Sequence, residues 1–104
     1  MARRRRFSEE PFGTAITHLM TDRNVTYRAL ASATGLSAGY LNHLVHGNRP
    51  VPSEDVIERL AEALGVEPAY FREVRIRVIS EGLEQHPELV DRLYRRLSNA
   101  RASR

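Results

Sequence analysis

The chain has 104 residues, room for one small domain and an extension but not for two independent cores. It contains no cysteine, which excludes disulfides and a zinc finger and leads to the expectation of a reducing cytoplasm. No apolar run reaches the length of a membrane span, and Arg3 to Arg6 is not followed by a signal-like apolar segment. The net charge of +3 is modest, but it is unevenly spread. No Asp or Glu occurs between Arg23 and Ser53, where Arg23, Arg28, His43, His46 and Arg49 lie, whereas acids collect at Glu54, Asp55, Glu58 and Glu62. Such segregation lets one face meet phosphates while the opposite side stays away from them.

Met1 to Arg6, MARRRR, is a basic arm. Through Arg3, Arg4, Arg5 and Arg6 it either tracks a phosphate backbone or enters a minor groove, or else it is a solvated tail. Ser8 to Asp22 reads as the first helix: Glu9 and Glu10 suit a helix N-terminus, and Pro11 is tolerated in a first turn. Phe12, Ile16, Leu19 and Met20 recur at helical spacing and form one apolar stripe. Arg23 and Asn24 make the turn that follows.

The chain is organised around Thr26 to Pro50. Leu30 and Ala31, then Leu36, then Leu41, Leu44 and Val45 fall at helical spacings on either side of Gly35, so two short helices share one buried seam. Thr26 and Ser37 are suited to cap them, each hydroxyl accepting from an orphan backbone N–H. Gly35 supplies the break, because a residue that tolerates positive φ can end a helix abruptly. With Leu41, Leu44 and Val45 turned inward, a period of about 3.6 residues puts Gly39, Asn42, His43 and His46 outward and Tyr40 on the flank.

The pattern Leu30-Ala31, Gly35-Leu36-Ser37, Leu41, Leu44, Gly47, with the Gly47-Asn48-Arg49-Pro50 exit and the later Leu60-Ala61 and Leu64-Gly65-Val66, resembles the XRE/Cro-type helix-turn-helix repressor family over residues 8 to 71. The resemblance implies an all-α, five-helix repressor-like domain that binds double-stranded DNA, with Ala38 to His46 as the helix that enters the groove. Its outward positions Ala38, Gly39, Tyr40, Asn42 and His43 are then the base readers. Asn42 and His43 offer donors or acceptors to base edges, and Tyr40 reaches a phosphate or stacks on a thymine methyl. Thr26, Tyr27, Arg28, Ser37, His46, Asn48 and Arg49 are the candidates for the DNA backbone, Ser37 aided by a helix N-terminus. The sequence departs from the family in two places. Met20 and Val45 stand where an ion pair often joins the first helix to the recognition helix, and an apolar pair avoids the desolvation of such a bridge. Ala38 and Gly39 stand where long polar readers are frequent; Gly39 costs about 1 kcal/mol of helix stability relative to alanine, which points either to a close approach of the backbone or to tolerance of the turn.

After the GNRPVP loop, Ser53 is expected to cap a helix through Leu64, with Glu54 and Asp55 in its first turn and an apolar face of Val56, Ile57, Leu60, Ala61 and Leu64. Gly65 to Pro68 repeats the stop-and-start grammar and leads into a short helix at Ala69 to Phe71 that the family uses to close its core. Residues 72 to 84 read two ways, as a strand through Val74, Ile76 and Val78 or as a helix through Phe71, Val74, Val78 and Leu83. The helix is preferred because no partner strand exists elsewhere. Glu88 to Asn99 forms a last helix with a stripe of Leu89, Val90, Leu93, Tyr94 and Leu97, and a loose tail follows from Ala100.

These last two helices exceed what the DNA-binding unit requires. Val74, Val78, Leu83, Leu89, Leu93, Tyr94 and Leu97 are expected to form a homodimer interface, the alternative being that they pack back on the first helix. His43 and His46 lie one turn apart but lack a third metal ligand nearby, and no nucleophile–base spacing occurs, so neither a metal, a cofactor nor an enzyme is expected. The sequence reads as a transcriptional regulator of bacterial or phage origin, a homodimeric repressor on an inverted repeat acting at the nucleoid. Two other readings stay open: an antitoxin-like interaction module whose C-terminal helices bind a protein, and a nucleoid binder of low specificity.

Overall fold

The computed structural model describes residues 7–47 and 51–102, and among them every regular element is helical. In chain order these are α1 (Phe12–Asp22), α2 (Tyr27–Thr34), α3 (Ala38–Val45), α4 (Glu54–Leu64), a single 3₁₀ turn (Pro68–Tyr70), α5 (Arg72–Glu84) and α6 (Pro87–Ala102). The alternation at Val74, Ile76 and Val78 thus belongs to a helix. Arg3, Arg4, Arg5 and Arg6 of the arm, and Asn48 and Arg49 of the loop, lie outside the described residues.

The first five elements enclose one core. α1 contributes Phe12, Ala15, Ile16, Leu19 and Met20, α2 Leu30, α3 Leu41 and Leu44, and α4 Ile57, Leu60, Ala61 and Leu64. Phe71, fully buried, closes it, its ring 4.8 Å from that of Phe12 and 5.5 Å, edge-on, from that of Tyr70. Each buried Leu, Ile, Phe or Met side chain here contributes about 1.5–3 kcal/mol, so this cluster carries the domain. Met20 is buried and Val45 packs against the core, so apolar side chains do occupy both places where the family resemblance implies an ion pair. α3 packs on both α1 and α2, and α4 packs on α2.

α1 starts four residues later than the sequence implies. Pro11 is its N-cap residue, in an extended conformation, and no acid lies in its first turn. The cause is steric: a proline disfavours helical geometry in the residue before it, so a helix cannot run from Ser8 through Glu10 into Pro11. Ser8 is instead buried, its N–H donating to Tyr70 O at 2.8 Å and its Oγ accepting from Glu10 N at 3.1 Å. The α1 N-terminus is capped from a distance, Phe12 N donating to Glu73 Oε2 of α5 at 3.1 Å.

The ends of α3 and α6 also differ, and at α4 the boundaries agree while the expected capping bond is not made. α3 ends at Val45, with His46 as its C-cap. Ser53 takes the N-cap position of α4 but makes no side-chain capping bond, and Glu54 and Asp55 supply the favourable charge there alone. α6 begins at Pro87 and continues through Ala100 to Ala102, so the tail expected at Ala100 is helical to that point. No residue of α5 or α6 is fully buried.

Candidate nucleic-acid interface

α2 and α3 are set by their ends. The Thr26 hydroxyl accepts from Ala29 N at 3.1 Å and the Ser37 hydroxyl from Tyr40 N at 3.0 Å, both as the sequence predicts. The other first-turn N–H groups of each helix have no partner within the helix and are available to an anion. Between the helices Gly35 takes φ of 78°, the left-handed value that a Cβ would penalise. Thr34, which the sequence reading passed over, completes the turn: its Oγ1 donates to Leu30 O at 2.7 Å and accepts from Leu36 N at 3.2 Å. Arg59 of α4 adds a bond to Thr34 O at 3.4 Å, fixing the turn from behind.

Besides the apolar side chains they share in the core, α1 and α3 come together backbone to backbone at the last turn of α3. A Cβ on Gly13 would lie 2.6 Å from Val45 O and 2.8 Å from Leu44 O, so only glycine lets α1 approach the last turn of α3 this closely. In the sequence the signal for this contact is a glycine at the start of an apolar helical stripe.

On the opposite side of α3, Ala38, Gly39, Asn42, His43 and His46 are exposed. Among the described residues, no hydrogen bond occupies the Asn42 or His43 side chain, and no atom lies within 4 Å of a Cβ built on Gly39. No close approach to Gly39 is therefore made among the described residues. Tyr40 is half-buried against the core, so it stands at the edge of this face, and Tyr27 is likewise half-buried beside an open groove of about 540 Å³ between α1 and α2. His46 Nδ1 lies 2.7 Å from Asn42 O. A carbonyl only accepts, so Nδ1 carries the proton, and the ring can donate to a phosphate through Nε2 only as the imidazolium.

Arg28 is exposed, and its segment is free of acids from residue 23 to 53. Glu54, Asp55, Glu58 and Glu62 lie exposed on α4, where Asp55 pairs with Arg59 at 3.0 Å. Of the expected dimer residues, Val74 is half-buried against the domain core and Leu83 half-buried, whereas Val78, Leu89, Leu93, Tyr94 and Leu97 are exposed. Ile76, Ile79 and Val90 extend the exposed apolar set beyond those named from sequence.

A capped helix pair turning at a left-handed glycine, with the second helix bare along its outer side in an acid-free stretch, defines a helix-turn-helix DNA-binding domain. The sequence profile described as "Helix-turn-helix domain" matches residues 11–74, more than half of the chain, which belongs to that family and, within it, to the XRE/Cro type. The HTH-type transcriptional repressor RghR of Bacillus subtilis (strain 168) is 37% identical over 57 residues, 55% of this chain and 42% of that protein, so the chain spans less than half of that relative's length. The restriction-modification controller protein C.AhdI of Aeromonas hydrophila is 35% identical, with a TM-score of 0.52 over 55% of this chain and 85% of that one. The clp gene regulator ClgR of Corynebacterium glutamicum is 33% identical, with a TM-score of 0.53 over 78% of this chain and 83% of that one. The chain is thus a member of a family of DNA-binding transcriptional regulators.

Proposed function

We propose that this chain is a sequence-specific transcriptional repressor that binds an inverted repeat of duplex DNA as a homodimer. The observation that carries this reading is the outer side of α3, exposed at Ala38, Gly39, Asn42 and His43, whose side chains make no hydrogen bond to the other described residues. In the complex α3 lies in the major groove, where Asn42 and His43 meet base edges and Gly39 lets the backbone come near. Thr26, Tyr27, Arg28, Ser37, His46, Asn48 and Arg49 hold phosphates, and the arm residues Arg3 to Arg6 add contacts outside the groove. Repression is by occupancy. So small a reading surface needs two half-sites, about one helical turn apart, to reach a useful specificity.

Selection of bound duplexes from a random library at near-physiological salt tests this reading. A palindromic consensus supports it; binding without a consensus, lost steeply with salt, overturns it in favour of a nucleoid binder. The exposed apolar side of α5 and α6 also favours a second reading, in which those helices bind a different protein and DNA binding is autoregulatory. A protein that stays monomeric alone and dimerises or orders its C-terminal helices only with a gene-neighbour product would establish that reading instead.

A further inference from the structure

The first two residues of α1 join α5 to α3. Phe12 N donates to Glu73 Oε2 of α5 at 3.1 Å. The next residue, Gly13, is where an added Cβ would lie 2.6 Å from Val45 O and 2.8 Å from Leu44 O. The start of α1 is thus held by α5 at one residue and seated on the last turn of α3 at the next. A rigid helix end passes a displacement at Phe12 on to Val45.

The Glu73 end of this bridge is unevenly satisfied. Its side chain is only 18% exposed. Oε2 serves both Phe12 N and Arg72 Nη2, the latter at 3.4 Å, while Oε1 and Arg72 Nε are buried and without a hydrogen-bond partner among the described residues. Orphaned buried polar atoms are rare and costly. Here the two orphans belong to neighbouring residues of opposite charge. Turning the carboxylate toward Arg72 gives both of them a partner and takes the acceptor away from Phe12 N. Beside Glu73 a cavity of about 170 Å³, walled in part by Pro11, Leu44, Gly47 and Val51, leaves room for the end of α1 to shift against α3.

We infer that Glu73 is a positioning residue for the DNA-reading helix: bonded to Phe12 N it seats α1 on the last turn of α3, and turned to Arg72 it releases that seat. This deepens the DNA-binding reading above and rests on it. Because Arg72 and Phe12 N compete for one carboxylate, removing the two members of this ion pair acts in opposite directions. The coupling is reciprocal, so DNA on α3 strengthens the Glu73–Phe12 bond by the factor that the bond adds to DNA affinity.

The test measures the affinity of the full chain and its variants for a duplex recovered by library selection, or for a random-sequence duplex where none is recovered. Glu73→Ala should weaken binding about tenfold. Glu73→Gln, which keeps the shape and one oxygen acceptor, should change it in the same direction and serves if the alanine variant does not fold. Arg72→Met should bind at least as tightly as the parent. Ile57→Val, a core truncation in α4, lowers the Tm but should leave affinity unchanged in the folded protein. Without DNA, the amide resonances of Leu44 to His46 should move in Glu73→Gln, and Phe12 N–H should exchange faster than in the parent; in the parent, added DNA should slow that exchange. Weaker binding by Arg72→Met, affinity indifferent to Glu73, or an equal loss in Ile57→Val would each overturn the inference. Its failure is separable from that of the DNA reading. Resonances of α3 that follow Glu73 in a protein that binds neither duplex overturn the repressor reading alone, and selection of a consensus with affinity indifferent to Glu73 overturns the positioning role alone.

Discussion

Two glycines on adjoining surfaces act oppositely, and the difference lies in what a methyl group would meet. At Gly13 it meets the carbonyls of Leu44 and Val45, which belong to a helix and cannot move aside. Gly13→Ala should therefore cost about 1–3 kcal/mol by overpacking and tilt α3, visible as a lower Tm together with weaker DNA binding. At Gly39 it meets nothing. Gly39→Ala should raise helix stability by about 1 kcal/mol, so a higher Tm with weaker binding would locate a close DNA backbone or base at that position. Among the polar residues, Arg28→Ala and Arg49→Ala should weaken every duplex alike, whereas His43→Ala should alter base preference at one position. Competition binding against single-substitution operators separates the two patterns, and uniform loss for His43→Ala would remove it from the readers.

At the level of elements, the segment from Phe7 to Phe12 is fastened to α5 by Arg72, Glu73 and Arg75, which local patterning does not reveal, Arg72 donating to Glu9 O at 3.2 Å. Arg75 donates to Ala69 O at 2.9 Å, Tyr70 O at 2.8 Å, Ser8 O at 2.7 Å and Glu9 Oε1 at 3.0 Å, while Phe7 lies over its guanidinium at 4.7 Å. Glu73 caps α1 and also accepts from Arg72 at 3.4 Å. Arg75→Met should destabilise by about 3 kcal/mol, since several charge-assisted bonds are lost and their carbonyls left bare. Arg75→Lys should recover little of it, because a single ammonium lacks the two separated nitrogens through which the guanidinium reaches Ala69 O, Tyr70 O and Ser8 O; thermal melts of both variants check this. The helix-turn-helix was legible because its signals are local: Leu30, Leu41 and Leu44 mark a periodic seam, and Thr26 and Ser37 sit next to the N–H groups they cap. The start of α1 was misread because its cap comes from sixty-one residues away and the proline rule was outweighed by the attraction of Glu9 and Glu10. The role of Gly13 is hidden for the same reason, since the Leu44 and Val45 carbonyls come near it only when helices pack, whereas the partners of Thr34, Leu30 O and Leu36 N, are local and a threonine before the turn glycine is a legible signal.

For the whole molecule, charge decides how binding responds to salt. Removing Met1 to Arg6 should flatten the slope of log affinity against log salt by up to about four if each arginine of the arm neutralises a phosphate; an unchanged slope would exclude the arm from the interface. No described helix is long and apolar enough to cross a membrane. The bare outer side of α3 has a further result. Since the fold is held by Leu41, Leu44, Val45 and Gly13 and asks nothing of Ala38, Asn42 or His43, those positions are free to drift without loss of stability. Where α3 reads DNA as proposed, a lineage of such chains can trade one operator for another by a handful of substitutions on an unchanged chassis, and a combinatorial library at these sites should melt like the parent while its members part company over which DNA they hold.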